Sequence, residues 1–199
     1  MRNAIRHITY CIIGFCMAHT SIAQETPTTK AEKKSKYTLY AGLGPNFYFN
    51  NVVVGNNGVN EFNFAFVARF MWEPEHFLSL GFETGYNRLY TVNLAPGAAN
   101  ETHIVNSVIP IQGVVSMKFL KHFYGNFSMG QGILLNKVHT ASSGDVNASV
   151  VSLGDFGAGI GYRKLVQKKW FLGAELKGYY STKLDDKNIG LVFMAGYKL

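Results

Sequence analysis

Apolar and polar positions alternate along most of the chain beyond residue 36. Over 61–72, the phenylalanines at 62, 64 and 66 share one face, whereas Glu61, Asn63 and Arg69 lie on the other. A period of two is the signature of a β-strand whose two faces meet different surroundings. The alternation predicts eight strands, at 37–49, 61–72, 78–87, 104–119, 123–135, 149–163, 170–181 and 188–199. These runs are longer than the common strand length of about 5–6 residues. They are long enough for a tilted strand to cross a bilayer, which takes about 9–11 residues.

The connections between these strands alternate in length. Short connections fall at 73–76, 120–122 and 164–168. Longer ones, rich in Asn, Gly and Ser, fall at 50–60, 91–103 and 136–148, with a shorter one at 182–187. Outer-membrane barrels have short periplasmic turns and longer extracellular loops, so this alternation favours that architecture.

Aromatic side chains cluster beside the short connections. Rings of this kind form girdles at the two membrane interfaces of a transmembrane barrel. The five that we predict to form one girdle are Trp72, Phe77, Phe119, Phe123 and Trp170. The candidates for the opposite girdle are Phe47, Phe49, Tyr86, Tyr90 and Tyr180.

Composition separates a membrane barrel from a soluble barrel or sandwich. Charged residues make up 16% of the chain, against about 25% of an average soluble protein. The strand face opposite the apolar one carries Gly, Ser, Asn and Thr with isolated charges, which suits a barrel interior better than a surface in water. We therefore predict an all-β fold, a closed antiparallel eight-stranded transmembrane β-barrel over 37–199.

Residues 1–23 have the pattern of a cleaved export signal. Arg2 and Arg6 precede an apolar stretch at 8–18, and a small-x-small cleavage site ends at Ala23. The apolar stretch is too short to span a bilayer as a helix, which takes about 20 residues. A buried N-terminal helix is the alternative interpretation.

The segment that follows the signal is polar, and it holds much of the basic charge. Residues 24–36 carry four lysines and two glutamates, which predicts a disordered periplasmic lead-in. Residues 37–199 hold 13 basic and 10 acidic side chains without a basic stripe, so nucleic-acid binding is not expected. Both cysteines, Cys11 and Cys16, lie in the signal, so we expect no disulfide and no cysteine-based metal site, and no cofactor is predicted.

With its export signal, its eight runs and its terminal stretch GLVFMAGYKL, the chain resembles the small outer-membrane β-barrel family, which includes the OmpA transmembrane domain, OmpX and PorT-like barrels. The resemblance implies an integral protein of the bacterial outer membrane, in contact with its lipid and lipopolysaccharide, with both termini in the periplasm. It also implies that the barrel-assembly machinery reads the last strand through Leu191, Phe193, Tyr197 and Leu199. The usual terminal Phe is replaced by Leu199.

Seven charged side chains fall on the inward face of the predicted barrel. An unpaired buried charge is very costly, so these groups must pair or meet water. We predict a lumen ion-pair network that stabilises the barrel, with ion relay as the alternative. Its members are Arg69, Glu83, Lys118, Asp155, Arg163, Glu175 and Lys177.

One ion pair can be predicted individually. Asp155 and Lys177 must both face inward, so the register between their strands can change only in steps of two residues. If Arg163 stands opposite Lys169 across the turn at 164–168, Asp155 lies opposite Lys177. A shift by two residues would place Tyr179 opposite Asp155 and leave Lys177 as a diagonal neighbour. We therefore predict an ion pair between Asp155 and Lys177, with Glu175 close by.

Three short motifs could carry chemistry. The sequence His139-x-x-Ser142, with Asp145 as the acid, distantly resembles the catalytic residues of lipid A deacylases of the PagL type. The turn at 73–76 holds Glu73, Glu75 and His76, potential metal ligands for which a solvated turn is the simpler interpretation. The glycines at 157, 159 and 161 fit a crowded barrel interior better than a phosphate-binding loop.

The sequence thus predicts a non-enzymatic outer-membrane protein of structural or interaction type. Its binding surface would be the long loops at 50–60, 91–103 and 136–148, since loops on a rigid scaffold carry recognition. The alternatives are a narrow channel and, less favoured, a lipid A-modifying enzyme.

Overall fold

The computed structural model describes residues 36–50, 53–54, 57–74, 77–96, 101–142 and 144–199. The predicted signal and nearly all of the lead-in lie outside these residues, as do Glu75 and His76. The strands are β1 (Lys36–Tyr48), β2 (Val53–Val54), β3 (Asn57–Gly58), β4 (Phe62–Glu73), β5 (Leu78–Leu94), β6 (Thr102–Lys118), β7 (Phe123–Thr140), β8 (Gly144–Leu165), β9 (Trp170–Ser181) and β10 (Asp186–Lys198).

Eight of these strands close into a ring. Strand β1 pairs with β4 on one side and with β10 on the other, and each strand from β4 to β10 pairs antiparallel with the next. The short strands β2 and β3 pair with each other in a separate two-stranded sheet. The predicted closed, antiparallel, eight-stranded barrel is confirmed. Among the described residues, no helix is long and apolar enough to cross a membrane.

Alternation along the strands separates the inside of the ring from its outside. In β4, Ala65, Val67 and Arg69 are buried, whereas the intervening phenylalanines point outward. Phe82 is 72% exposed and Leu43 67% exposed on the outer surface. A continuous apolar outer band around a closed ring is the surface that a bilayer solvates.

Strands β5 to β8 are longer than predicted, so the predicted loops at 91–103 and 136–148 are mostly or partly strand. Strands β5 to β8 continue past the residues where the alternation weakens, so most of 136–148 is strand rather than loop. Residues 91–103 are likewise strand up to Leu94 and from Thr102 onward. Strand pairing continues here because the backbone ladder does not require an apolar face.

Two bulges shift the register within the tall strands. Between β7 and β8, Gly130 pairs with Asp155 but Gln131 pairs with Leu153, so Gly154 is the additional residue. Gly154 has a φ of 80°, a conformation that glycine adopts without steric cost. The second bulge lies between Arg88 and Tyr90 of β5.

The register between β8 and β9 differs from the predicted one. Arg163 lies opposite Gly173 rather than Lys169, and Lys177 lies opposite Gly159 rather than Asp155. The turn is formed by 166–169, with the Val166 N–H donating to the Trp170 carbonyl over 2.9 Å. The predicted inward parity is retained, because a shift by an even number of residues leaves every side chain on its face.

Candidate functional site

A charge-balanced cluster fills the middle of the lumen. Arg69 donates to Glu83 from Nε over 2.8 Å and to Glu175 from Nη2 over 2.8 Å and from Nη1 over 3.0 Å. Lys177 pairs with the other oxygen of Glu83, and the Tyr124 hydroxyl donates to Glu175 over 2.7 Å. We call these five residues the central cluster. Its two cations and two anions are buried, and their mutual pairing is what makes such burial tolerable.

The central cluster crosses the barrel rather than following its wall. Arg69 lies on β4 and Glu175 on β9, and strands β1 and β10 separate these two in the ring. The ion pair therefore spans the interior between two strands that are not paired with each other. The neighbouring Arg69–Glu83 contact, in contrast, joins residues that are directly opposite on paired strands.

A second cluster lies at the end of the barrel where the short turns are. The Arg163 Nη1 donates to Glu73 Oε1 over 2.6 Å, and the Tyr40 hydroxyl donates to the same oxygen over 2.8 Å. The Lys118 Nζ is 3.7 Å from Glu73 Oε2. The Arg163 guanidinium also lies 5.7 Å from the centre of the Phe171 ring. Glu73 is thus a buried lumen residue and not part of a solvated metal-binding turn.

Polar and apolar side chains are buried in the lumen at the end opposite the short turns. Asp155 accepts hydrogen bonds from the Tyr179 hydroxyl, from Ser152 Oγ over 2.5 Å and from the Thr182 N–H over 3.1 Å. The Tyr48 hydroxyl donates to Asp186. The apolar cluster at this level consists of Tyr48, Leu89, Val108, Leu134 and Tyr179.

The predicted pair between Asp155 and Lys177 is wrong. Lys177 pairs with Glu83, and Asp155 is bound by neutral donors. Of the seven charged residues singled out in the sequence, the structure brings Arg69, Glu83, Glu175 and Lys177 together, and it places Lys118 and Arg163 around Glu73.

Sequence reasoning missed Glu73 and Asp186. Each ends or begins a strand next to a turn, where the alternation predicts a solvated connection. The parity of β4 could have identified Glu73, because it lies an even number of residues from Arg69.

The three glycines of β8 face the crowded interior, as predicted. A Cβ at Gly161 would lie 2.4 Å from Tyr124 Cζ, and one at Gly157 would lie 2.3 Å from Ser128 Oγ. Their lack of a side chain gives Tyr124 room to reach Glu175.

The predicted girdle and the C-terminal residues lie on the outer surface. The first girdle is exposed around the short turns, and its Phe119 and Phe123 rings lie 6.3 Å apart. In the second predicted girdle, Tyr90 is wrongly placed, because it is partly buried against the apolar cluster and lies 5.2 Å from the Tyr48 ring. Leu191 and Phe193 of β10 and the following residue, Leu199, are exposed, and the centres of the Tyr197 and Trp170 rings lie 5.0 Å apart.

Above the closed part of the barrel, strands β5 to β8 form a projecting sheet. Strand β8 pairs with β9 only from Phe156 onward, whereas it pairs with β7 from Gly144. All the residues of 144–151 are exposed. Within the described part of the chain, 144–151 therefore forms a strand with one bare edge, which we call the β8 edge.

A cavity of about 240 Å³ lies beside the β8 edge. Leu134, Asn136, Ala148 and Val150 line it from the hairpin, and Leu184 lines it from the turn between β9 and β10. The cavity therefore accompanies the bare backbone edge with a mainly apolar recess.

The outer face of the same sheet carries the histidine motif. His139 lies opposite Asp145 on paired strands, and its Nδ1 contacts the Asp145 carboxylate. Ser142 lies in the turn that joins the two strands. Among the described residues, no group of three or more His, Cys, Asp or Glu side chains is arranged to hold a metal ion.

Similarity to known proteins was found among solved structures and not among sequences. No family model matches the sequence, and no curated protein matches it. Among solved structures, the chain is similar to Ail, the attachment invasion locus protein of Yersinia pestis, crystallised with the heparin analogue sucrose octasulfate. The TM-score is 0.57 at 11% identity, over 83% of this chain and 99% of that one. A second crystal structure of Ail gives a TM-score of 0.51 at the same identity and coverage. Neisserial surface protein A is also similar, with a TM-score of 0.41 at 12% identity over 82% of this chain and 97% of that one.

The chain has the fold of a small outer-membrane β-barrel. At this level of identity the similarity to Ail establishes the fold alone, and function has to be argued from the lumen and the projecting sheet.

Proposed function

We propose that this chain is a non-conducting, non-enzymatic protein of the outer membrane that binds an extended segment of a partner protein along the β8 edge. The single observation that carries the proposal is the bare edge at 144–151, which lies beside an apolar cavity. The predicted export signal, the outward-facing aromatic residues and the alternating last strand support the location. The same features support periplasmic termini and assembly by the barrel-assembly machinery in contact with outer-membrane lipid and lipopolysaccharide.

The filled lumen supports a binding role over a channel. Arg69 spans the barrel to Glu175, and Arg163 spans it to Glu73 at another level. An eight-stranded barrel has an interior just wide enough for side chains. Ion passage would require two buried, charge-assisted contacts to open, which is costly without replacement partners.

The β8 edge has the properties of a strand-addition site. A bare edge presents a row of unpaired N–H and C=O groups to another chain. In this binding mode the backbone hydrogen bonds supply affinity, while pockets for alternate side chains supply specificity. Ala148 and Val150 point towards the cavity, so a partner segment with a medium-sized apolar side chain would fill it.

The chemistry of the edge also lacks the usual protection. Exposed edges in natural proteins are commonly blunted by Lys or Pro. Residues 144–151 read GDVNASVV, with Asp145 as the only charged residue and no proline. In Ail, the heparin analogue is the bound ligand that its crystal structure reports; the edge of the present chain favours a polypeptide instead.

Site-specific photocrosslinking in intact cells tests the location of binding. A benzophenone amino acid at Asn147 or Ser149 on the β8 edge should yield protein adducts. The same group at Leu135 or Lys137, one strand further in on β7, serves as the matched control and should yield far fewer. Equal adducts from both strands, or none from the edge, would contradict the proposal.

Proline substitutions then test the mode of binding. In an antiparallel ladder the N–H groups of successive residues point alternately to the two sides. One of Ala148→Pro and Ser149→Pro therefore removes an N–H that faces the edge, and the other removes one that pairs with β7. The proline that removes the edge-facing N–H leaves the pairing of β8 with β7 intact, and we expect this variant to lose its adducts. Retained adducts in this variant would exclude backbone pairing with the partner.

Planar-bilayer recording of the purified protein separates binding from conduction. We expect no sustained unit conductance. A stable unit conductance would replace the proposal by the narrow-channel alternative.

A further inference from the structure

We propose that the outer face of the projecting sheet binds a divalent transition-metal ion through the Nε2 atoms of His103 and His139. The two histidines lie directly opposite each other on paired strands β6 and β7. Neither the lumen nor the β8 edge uses them. Both belong to a row of four polar residues that runs across the sheet, Asn93, His103, His139 and Asp145.

The flanking residues of this row determine which ring nitrogen is available. His103 Nδ1 contacts the side-chain oxygen of Asn93, and His139 Nδ1 contacts the carboxylate of Asp145. Both partners are oxygen acceptors, so both Nδ1 atoms carry the hydrogen. In a neutral imidazole the lone pair is then on Nε2.

This arrangement is the one that metal-binding histidines commonly have. A ligating histidine usually donates its other ring N–H to a carboxylate, carbonyl or water, which fixes the orientation of the ring. In the row, Asn93 and Asp145 perform that task from the two outer strands. They act as positioning residues, and the two histidines are the ligands.

The spacing of the two histidines also suits one ion. The Cβ atoms of directly opposite residues on antiparallel strands lie about 4.5–5.5 Å apart, so the two rings can converge on a metal at the usual nitrogen distance of about 2.0–2.1 Å. Imidazole ligands favour zinc, copper and nickel over magnesium or calcium. Because the described residues offer no third ligand in a suitable group, water completes the coordination.

The site lies beyond the membrane and is open to the medium. His139 is sixteen residues along β7 from Phe123 at the short-turn end. At about 3.3 Å per residue and a tilt of about 40°, this corresponds to a height of roughly 40 Å, compared with an apolar band about 25 Å tall. The side chains of His139 and Asp145 are 66% and 67% exposed.

The test uses the purified protein without a histidine tag, in detergent, with the metal ion alone as the probe. Calorimetric titration with Zn²⁺ should give one site per chain. The electron paramagnetic resonance spectrum of the Cu²⁺ form should show coupling to two imidazole nitrogens. His103→Gln or His139→Gln should each reduce the Zn²⁺ affinity by at least about tenfold and leave coupling to one imidazole.

Two further variants distinguish ligands from positioning residues and from background binding. Asp145→Asn should weaken Zn²⁺ binding about 10- to 100-fold, as expected when the residue that orients a ligand is changed, while both imidazole couplings persist. His122→Gln, at the short-turn end, is the matched control and should leave the affinity unchanged. Equal binding in the His103 and His139 variants and the unaltered protein, or a spectrum without imidazole coupling, would overturn the proposal.

Discussion

The lumen and the projecting sheet are built from the same strands, but they treat polar groups in opposite ways. Inside the closed ring, charges such as Arg69 and Glu175 are buried and paired across the barrel axis. Above it, the strand at 144–151 is exposed on both faces and keeps one backbone edge bare. Buried polar groups left unsatisfied are costly, whereas exposed ones are solvated at little cost. The paired charges of the lumen therefore stabilise the fold, whereas the exposed groups of the projecting sheet remain accessible to a binding partner.

The largest expected effect is the loss of the arginine at the centre of the lumen. Arg69→Met leaves Glu83 with one partner fewer and Glu175 with only Tyr124 and neutral groups. Removing one member of a buried ion pair costs about 3–5 kcal/mol, and we expect the free energy of unfolding to fall by about that amount in urea titrations of the refolded barrel.

A double variant that keeps the number of positive and negative charges equal is the control for this prediction. Arg69→Met combined with Glu175→Gln removes one cation and one anion and leaves Lys177 paired with Glu83. The double variant should be more stable than Arg69→Met alone. If it is less stable, the central cluster does not owe its stability to charge pairing.

The next effect concerns the partner of Lys177. Lys177→Met should lower the free energy of unfolding by about 3 kcal/mol, because Glu83 loses a buried partner. Adding Glu83→Gln should restore part of that loss, whereas adding Asp155→Asn should give an additive result, because Asp155 has other partners. Coupling between Lys177 and Asp155 in this double-mutant cycle would contradict the structure.

A smaller effect is expected from filling the space beside Tyr124. Gly161→Ala places a Cβ 2.4 Å from Tyr124 Cζ, and overpacking of this kind costs about 1–3 kcal/mol. Gly113→Ala is the control, because its Cβ meets only the Met129 carbonyl oxygen at 3.8 Å. Equal unfolding free energies for the two variants would mean that the interior is not tightly packed at this level.

The smallest effect is expected in the projecting sheet. Val146 is 62% exposed, and Val146→Ser should change the free energy of unfolding by no more than about 0.5 kcal/mol. The same variant should reduce the yield of edge crosslinks if the outer end of the β8 edge takes part in binding. A large loss of stability would show that the hairpin supports the barrel and would remove the contrast between the two regions.

By itself, the sequence determines the strands and the faces of their side chains. The period-two alternation predicts all eight barrel strands, and it places Arg69, Glu83, Glu175 and Lys177 inside. The prediction succeeds because successive side chains of a barrel strand point alternately to lipid and to the lumen, so apolar and polar residues must alternate. The glycines at 157, 159 and 161 follow from the same rule.

Only the tertiary structure decides which inward residues meet. Parity permits every register that differs by two residues, so the alternation cannot distinguish Gly159 from Asp155 as the neighbour of Lys177. The pairing of Arg69 with Glu175 depends on the curvature of the closed ring, which brings β4 and β9 within reach across the interior. The bare edge at 144–151 also depends on the tertiary structure, because it exists only where β8 extends further than β9. The pairing of β8 with β7 continues there although the sequence shows no apolar alternation that would predict it.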